Sequence, residues 1–262
     1  MHVGHDRGVA DSAQRWRAEL DGWAIPDEIL AQAPEPPWGF PPELFAAPPD
    51  PMDTPSRDRA LEALPDGGSV MDVGCGGGAG GLALVPPAAL VVGVDASADM
   101  LASFERAATE HGVRTRSVHG NWPDVADEAG TVDVVVCHHV LYNVADLEPF
   151  VRALTAAARR RVVVELTETH PMTTSAPLWR HFWDLDRPDG PTAQLAAEVL
   201  RELDFDVRVE NYTRPSRIAE RAVYVRMNRQ RLCLPVAAEP EVDRVLGPTD
   251  LPRDVVTLWW DC

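Results

Sequence analysis

The sequence of 262 residues contains no lysine, so its 24 Lys and Arg positions are all arginine. This absence excludes every mechanism in which a lysine amine forms a Schiff base with a carbonyl substrate. The formal net charge is −17. An acidic surface repels phosphate backbones, which disfavours nucleic acid as a partner. The densest basic run, Arg159-Arg160-Arg161, is better interpreted as the C-terminal end of a helix, where cations are stabilised.

Cysteine is scarce, and long apolar runs are missing. The four cysteines are Cys75, Cys137, Cys233 and Cys262, and their spacing fits neither a disulfide framework nor a metal site. No apolar run reaches the roughly 20 residues that a membrane span needs. The N-terminus shows no basic stretch followed by an apolar one. We therefore predict a soluble cytoplasmic protein without a membrane partner and without a metal.

Residues 1–55 differ from the rest of the chain in proline content. Ten of the 24 prolines lie between positions 26 and 55, which prevents regular helices there. Before them, apolar spacing predicts a helix over Arg15–Trp23. Three aromatic side chains of the proline-rich part would gain from burial: Trp38, Phe40 and Phe45. The segment is predicted to be an ordered wrap on the main domain, and a lid over a cleft is the alternative.

From residue 56 to residue 262 the sequence alternates between apolar strands and amphipathic helices. Strands are predicted at Ser69–Val73, Leu90–Val94, Val113–Val118, Asp133–Cys137, Arg161–Glu165, Phe205–Tyr212 and Val255–Trp260. A helix is predicted at Arg57–Leu64, before the first strand, and another between the first two strands. Further helices are predicted at Asp99–His111, Leu147–Ala158 and Thr192–Leu203. This order predicts an α/β fold, a seven-stranded mostly parallel sheet with helices on both faces. A helical insertion, with Ile218–Leu232 as its helix, is expected at about residues 213–252.

The stretch from Val70 to Gly81 is the most informative part of the chain. An apolar strand containing Asp72 runs into a glycine-dense turn, and Val91–Asp95 reads as a second buried strand that ends in a carboxylate. This layout is typical of a nucleoside-binding half-domain. The pattern Gly74-x-Gly76-x-x-Ala79 also satisfies the dinucleotide fingerprint, so a nicotinamide-dependent oxidoreductase is an alternative. Asp72 argues against it, because a carboxylate suits a ligand ammonium better than a pyrophosphate.

Three motifs resemble those of the class I S-adenosylmethionine-dependent methyltransferases. They are Asp72–Gly78, Val92–Leu101 and, more loosely, Asp133–Tyr142, and the resemblance covers about residues 56–212. It implies a Rossmann-like fold, S-adenosyl-L-methionine as cofactor, and methyl transfer to an O, N or C atom of an acceptor. The fourth strand lacks the Asp/Asn-Pro-Pro-aromatic signature of methyltransferases that act on DNA bases, which favours a small organic acceptor. A cofactor-binding protein without catalysis is a further alternative, and the oligomeric state stays open.

The resemblance also implies which residues bind the cofactor. Gly74, Gly76 and Gly78 would let the loop backbone approach it, and Asp95 would accept hydrogen bonds from the ribose hydroxyls. A helix cap is the other interpretation of Asp95. The remaining implied contacts come from Asp72, Cys75, Ala96, Met100, Asn121, Trp122, Cys137 and His138. Asn121 stands where the family often has an acid, and Trp122 either stacks on the adenine or covers a sheet edge.

Candidate catalytic residues lie at the ends of the fourth and fifth strands. His138, His139 and Tyr142 follow the fourth strand. Because neighbouring strand residues point to opposite faces, at most one of the two histidines is expected to face the cleft. The fifth strand ends in Glu165, followed by Glu168 and His170, but no ligand spacing supports a metal site built from Glu165 and these histidines. The aromatic segment Pro177–Trp183 is interpreted either as an acceptor-pocket wall or as ordinary core packing.

Overall fold

A computed structural model describes residues 6–38, 52–215, 220–249 and 251–262. Its centre is a seven-stranded sheet in the order β3-β2-β1-β4-β5-β7-β6. The strands are β1 (Ser69–Val73), β2 (Leu90–Asp95), β3 (Arg114–His119), β4 (Val132–His138), β5 (Ala158–Thr167), β6 (Arg208–Arg214) and β7 (Arg253–Asp261). β7 runs antiparallel to both β5 and β6, and the remaining pairs are parallel. The predicted α/β fold class is thereby confirmed.

Ten helices of the described residues surround this sheet. They are α1 (Asp6–Asp21), α2 (Asp27–Leu30), α3 (Pro55–Ala63), α4 (Ala98–His111), α5 (Ala126–Ala129), α6 (Leu147–Ala157), α7 (Ala176–Trp183), α8 (Ala193–Glu202), α9 (Arg221–Arg231) and α10 (Glu239–Val245). The prediction of a helix between β1 and β2 is wrong, because only a single 3-10 turn forms there, at Leu82–Leu84. Glycines precede this turn, and Pro86-Pro87 follows it, so no regular helix has room to extend.

The arginine run does not end a helix. α6 ends at Ala157, and Arg159-Arg160-Arg161 lies in β5, so that interpretation is wrong. The guanidinium groups instead find oxygen partners across the sheet. Arg161 Nε donates to Asp261 at 2.7 Å on β7, and Arg159 Nη2 donates to the main-chain oxygen of Thr131 at 2.9 Å. For these three arginines, pairing within the sheet therefore contributes more than the stabilisation of positive charge at a helix C-terminus.

Alternating side chains of the strands build one apolar core on each face of the sheet. Val70, Val134 and Val136 pack with α3 and α4 on what we call the α3 face. Met71 and Val135 pack with α6 and α8 on the opposite, α6 face. Because strand side chains alternate, the polar residues that end these strands keep to the α3 face. They are Asp72 on β1, His138 on β4 and Glu165 on β5.

The N-terminal helix α1 packs on the α6 face through one tryptophan. The Trp16 ring is fully buried. Its Nε1 donates to the main-chain oxygen of Val144 at 2.8 Å, and the ring stacks on Tyr142 with centroids 5.7 Å apart.

Trp38 is 55% exposed, so the prediction that this side chain is buried is wrong. Phe40 and Phe45 lie outside the described residues.

A third apolar cluster forms beside the sheet from α2, α7, α9 and α10. Leu178 and Trp179 of the aromatic segment are buried in it, which favours core packing over a pocket wall for these two side chains. α9 occupies the segment for which a helix was predicted. Across the described ranges, no helix combines the length and apolar character needed to cross a bilayer.

We expect Trp16→Ala to lower the free energy of unfolding by about 3 kcal/mol, because it removes a buried aromatic side chain and leaves a cavity. Urea denaturation followed by far-UV circular dichroism measures this change. Trp38→Ala is the matched control, since it removes the same side chain from an exposed position where the Arg231 guanidinium lies 4.6 Å from the ring centroid. It should cost no more than about 1 kcal/mol. Equal losses in the two variants would contradict the docking of α1 through Trp16.

Candidate active site

The loop after β1 owes its shape to glycine. Gly74, Gly76 and Gly78 have φ values of 70°, 52° and 92°, a region that side chains with a Cβ rarely adopt. A Cβ on Gly74 would also collide with Val140, in the turn that follows β4. The loop backbone is therefore pressed against the residues just beyond His138 and His139. This contact joins the predicted cofactor loop to the predicted catalytic residues.

Asp72 places a carboxylate beneath this loop. The side chain is buried, and its Oδ2 accepts a hydrogen bond from the main-chain nitrogen of Gly81 at 2.6 Å. Burial raises the pKa of Asp72 to about 7, with a further contribution from the charge of Asp95, while the Gly81 bond opposes the rise. A Cβ built on Gly80 would lie 3.1 Å from His138 Nδ1 and 3.2 Å from both Asp72 oxygens. Asp72 and His138 thus converge on Gly80.

Asp95 braces the same loop from the end of β2. Its Oδ2 accepts from the main-chain nitrogen of Gly76 at 2.9 Å, and its Oδ1 accepts from that of Ser97 at 2.9 Å. The N-cap of α4 is Ser97, whose hydroxyl accepts from the Met100 nitrogen, so Asp95 is not the cap residue itself. Each carboxylate oxygen retains the capacity to accept another hydrogen bond.

The other side chains that the resemblance implies as cofactor contacts differ in their solvent exposure. Ala96 and Asn121 are exposed, and Met100 is half-buried. The Trp122 ring packs against the α6-face core, and its Nε1 donates to the main-chain oxygen of Phe150 at 3.2 Å. These contacts fit a tryptophan that covers a sheet edge.

The two cysteines of the predicted cofactor site are buried. Cys75 and Cys137 both lie within apolar clusters, Cys137 in the α6-face core. Burial raises the pKa of both thiols. Cys75 is 5% exposed and Cys137 is fully buried, so both behave as core side chains.

A buried carboxylate near the end of β5 contacts polar groups from three other parts of the fold, namely α3, the turn after β4, and β6. We call the set Ser56, His139, Glu165, Tyr212 and Arg214 the Glu165 cluster. Glu165 Oε2 accepts from the Ser56 hydroxyl and from the Tyr212 hydroxyl, the latter at 2.6 Å. Its Oε1 lies 3.0 Å from His139 Nε2 and 3.8 Å from Arg214 Nη1.

These contacts determine the charge of Glu165. Burial alone would raise its pKa, but the hydrogen bond with His139, the positive charges of His138 and His139, and the Ser56 hydroxyl hold that pKa well below its usual range. The carboxylate is therefore ionised at neutral pH. Burial, and the nearby Glu165 charge, raise the pKa of Tyr212.

The two adjacent histidines do not point to opposite faces, so that prediction is wrong. β4 ends at His138, and His139 takes a left-handed φ of 61°. The strand alternation therefore stops before His139. His138 is the register partner of Glu165, and the His139 ring turns back to the same carboxylate. His138 also lines, with Ser56, Gly80 and Glu165, a cavity between α3, the 3-10 turn and the strands.

The contacts of Tyr142 and His170 indicate a role in packing. The Tyr142 hydroxyl is buried and donates to the main-chain oxygen of Thr167 at 2.7 Å, and burial raises its pKa. His170 stacks on Trp23 with ring centroids 4.6 Å apart. Burial, with the charge of Arg231, lowers the pKa of His170 to about 4. We therefore do not propose Tyr142 as a catalytic residue. Within the described ranges, no group of three His, Cys, Asp or Glu residues could hold a metal ion.

Sequence reasoning listed Glu165 among the candidate residues at strand ends and grouped it with the histidines, but it missed three of its partners. A signal for Glu165 does exist, since a charged residue directly after Val162-Val163-Val164 must be buried with compensation. Ser56, Tyr212 and Arg214 carried no such signal. They come from α3 and β6, far away in sequence, and only the sheet order brings them to β5.

Comparisons with known proteins agree with this geometry. Residues 70–161 match a family model described as a methyltransferase domain. The ubiquinone biosynthesis O-methyltransferase of Vibrio campbellii is 33% identical over 94 residues, which is 36% of this chain and 40% of that relative. The chain thus matches less than half the length of this curated relative.

Solved structures share the fold at low sequence identity. YcgJ from Bacillus subtilis has a TM-score of 0.56 at 16% identity, covering 79% of this chain and 97% of that one. A Bacillus halodurans protein described as a methyltransferase has a TM-score of 0.51 at 14% identity, covering 78% and 97%. Residues 70–161 of this chain therefore resemble a methyltransferase domain in sequence, and the seven-stranded sheet shares the fold of these solved structures.

Proposed function

We propose that the protein transfers the methyl group of S-adenosyl-L-methionine to a small organic acceptor. The observation that carries this proposal is the convergence of two carboxylates, Asp72 and Asp95, on one loop of positive-φ glycines. The pKa of Asp72 is raised to about 7 because burial, together with the nearby charge of Asp95, makes its ionised form unfavourable. A ligand that brings a positive charge and a ribose would satisfy both acids, and these residues therefore fit the cofactor.

Each residue of the donor site has a defined task in this proposal. Asp95 accepts hydrogen bonds from the two ribose hydroxyls. Its hydrogen bonds from the main-chain nitrogens of Gly76 and Ser97 hold the carboxylate in place. Asp72 provides the negative charge opposite the cationic methionine end. When bound, the cofactor supplies a methyl group on a positively charged sulfur. Alignment of the acceptor and exclusion of water then provide on the order of 7–11 kcal/mol of rate acceleration without a signature residue.

The acceptor would lie at the carboxyl ends of β4 and β5, where ligands bind in open α/β sheets. His138, His139 and Glu165 are located there. The curated relative is an O-methyltransferase by name, which supports oxygen as the attacking atom. The acidic net charge supports a small molecule over nucleic acid. Cytoplasmic location and the role of the N-terminal segment stay predictions.

Calorimetric titration tests the donor site. We expect wild-type protein to bind both S-adenosylmethionine and its demethylated product, and Asp95→Ala to bind them at least about 100-fold more weakly. A charge-assisted, bidentate hydrogen-bonding partner would be lost in this variant. Asp99→Ala is the matched control, because Asp99 is an exposed acid in the first turn of α4, and its affinity should equal that of wild type.

The same titration separates the alternatives. Binding of NAD(P)H in place of S-adenosylmethionine would identify an oxidoreductase. Tight cofactor binding without product from any member of a small-molecule library would favour a cofactor-binding protein without catalysis. Absence of binding by the wild type, or unchanged binding by Asp95→Ala, would contradict the proposed donor site.

A further inference from the structure

We propose that Arg214 and Arg253 form an anion subsite that binds a carboxylate group of the methyl acceptor, so that the acceptor is a small organic acid. This inference rests on the methyl transfer proposed above and deepens it, because it names a chemical class of acceptor. It assigns a binding role to two arginines of β6 and β7, outside the motifs that indicate the donor site.

The sheet register places the two arginines opposite each other. Arg214 ends β6, Arg253 begins β7, and the two residues are register partners in this antiparallel pair. Side chains directly opposite each other share a face of the sheet, with Cβ atoms about 4.5–5.5 Å apart. Like charges in this position destabilise a sheet. The pairing therefore concentrates positive charge at one point of the fold, at a cost in stability that an anion would relieve.

This point lies at the edge of the sheet where the acceptor is expected. β7 runs antiparallel to β5, and Thr167 at the end of β5 pairs with Val255 near the start of β7. The two arginines therefore lie at the carboxyl end of β5, where ligands bind in open α/β sheets. Arg214 Nη2 is 3.0 Å from Nε2 of His139, in the turn after β4. The residue after His139 packs against the glycine loop, so the same edge adjoins the proposed donor site.

The acids of the described residues compensate this charge only in part. Arg214 shares Glu165 with a histidine, since the Glu165 Oε1 atom lies 3.8 Å from Arg214 Nη1 and 3.0 Å from His139 Nε2. Among the described residues, the Arg253 guanidinium has one polar side-chain partner, the neutral Tyr224 hydroxyl. Two guanidinium groups thus share a single carboxylate that is already engaged by other donors.

Neighbouring acids on the same two strands are used elsewhere. Asp254 follows Arg253, but strand alternation turns its side chain to the other face, where Oδ1 accepts from the Thr213 hydroxyl at 2.7 Å. At the far end of the strand pair, Arg208 does have an acid, with Nη2 3.1 Å from Asp261 Oδ2. The two strands therefore match arginine with acid at one end and leave the match incomplete at the end that faces the acceptor.

A carboxylate fits this arrangement better than other anions. The planar guanidinium group presents paired N–H donors that match two carboxylate oxygens. Arg214 is 9% exposed, whereas Arg253 is half-buried, so a ligand that reaches Arg253 from solvent also approaches a desolvated charge. The Tyr224 hydroxyl accepts from Arg253 and can donate its own proton to the ligand. The ionised Glu165 nearby repels a doubly charged phosphate more strongly than a singly charged carboxylate.

Titration of the full-length protein with benzoate and benzamide, without cofactor, tests the subsite. The two probes have nearly the same shape and differ in charge. We expect benzoate to bind at least about 10-fold more tightly than benzamide, because only benzoate forms charge-assisted hydrogen bonds to both guanidinium groups. Arg253→Gln should abolish this preference, and Arg214→Gln should weaken it. Arg208→Gln, which removes an arginine from the far end of the same strand pair, is the matched control and should keep the wild-type preference.

Arg253→Gln keeps the test decisive even if Arg214→Gln does not fold, because Arg253 is half-buried and contacts a neutral hydroxyl. Absence of benzoate binding, equal affinities for benzoate and benzamide, or an unchanged preference in Arg253→Gln would overturn the subsite. Tighter binding of inorganic phosphate than of benzoate would overturn the assignment to a carboxylate.

A second titration distinguishes the acceptor's carboxylate from that of the cofactor. Arg253→Gln should bind S-adenosylmethionine as tightly as wild type does, and a loss of 10-fold or more would assign the arginines to the cofactor and overturn the inference. The benzoate titration needs no donor, so the two proposals fail separately. The expected benzoate preference without any binding of S-adenosylmethionine overturns the proposed function, whereas donor binding without a benzoate preference overturns only the present inference.

Discussion

Replacing Glu165 by alanine is expected to lower the free energy of unfolding by about 3–5 kcal/mol, the cost of removing one partner from a buried charged network. Arg214 and the two hydroxyls of Ser56 and Tyr212 would lose the acceptor that they share. Buried donors without an acceptor are costly, because water no longer solvates them. Chemical denaturation at pH 7 measures the loss.

The matched control for this variant is Glu210→Ala on β6. Glu210 pairs with Arg59 at 3.7 Å, but its side chain is 42% exposed. A solvent-exposed pair contributes at most about 1 kcal/mol. Similar losses in the two variants would show that the Glu165 carboxylate is not buried and bonded as described.

The stability difference between wild type and Glu165→Ala should depend on pH in one direction. Because the pKa of Glu165 in the folded protein is well below its usual range, its stabilising contribution is fully present above the unfolded-state value, about 4.5. It is lost as the pH falls through the lowered folded-state pKa. Acid unfolding curves should therefore converge at low pH and separate near neutrality.

Asp72→Asn is expected to have the opposite effect and to stabilise the protein at pH 8. The pKa of Asp72 is raised from 3.8 to about 7, so between these values the folded state binds a proton that the unfolded state does not. Stability therefore falls as the pH rises across this window. Removing the carboxylate removes the penalty, and at about 1.4 kcal/mol per pKa unit its upper limit is about 4 kcal/mol. Thermal unfolding at pH 4 and at pH 8 measures the gain, which should be small at pH 4.

The same substitution should weaken donor binding, because the negative charge opposite the cationic ligand is lost. Higher stability together with lower affinity would mark Asp72 as a residue kept for function at a cost in stability. Asp133→Asn provides the comparison. Its carboxylate accepts two bonds from Ser69, and its pKa is lowered, so this variant should lose stability at pH 8. A neutral or destabilising effect of Asp72→Asn at pH 8 would contradict a buried carboxylate whose pKa is raised by burial.

Much of the fold follows from local sequence patterns. β1 was predicted with the bounds that the structure shows, because Ser69–Val73 is an apolar run between a turn and a glycine loop. The expectations that the structure overturned depend on context. Arg159–Arg161 looks like a helix end by charge, but it becomes strand because β4 and β7 offer partners on both sides. No local pattern contains that information.

The grouping of the proposed donor-site residues in space could be predicted from the sequence, whereas the Glu165 cluster could not. Gly74, Gly76, Asp72 and Asp95 lie within one strand-loop-strand unit, so their spacing in sequence reflects their spacing in space. The Glu165 cluster instead joins α3, the turn after β4, β5 and β6, and its geometry depends on sheet order. The turn of His139 towards Glu165 also required its left-handed backbone, which the sequence His138-His139 does not reveal.

The central position of β7 has a consequence for how the sheet assembles. β7 separates β5 from β6 and pairs with both, and the partners Arg161 and Asp261 lie 100 residues apart. Contacts between residues so distant in sequence form slowly, because a long loop must close first. Until β7 inserts, the apolar strand β5 has an open edge that can pair with another chain. Intermolecular strand pairing at this edge is therefore the kinetic competitor of correct folding.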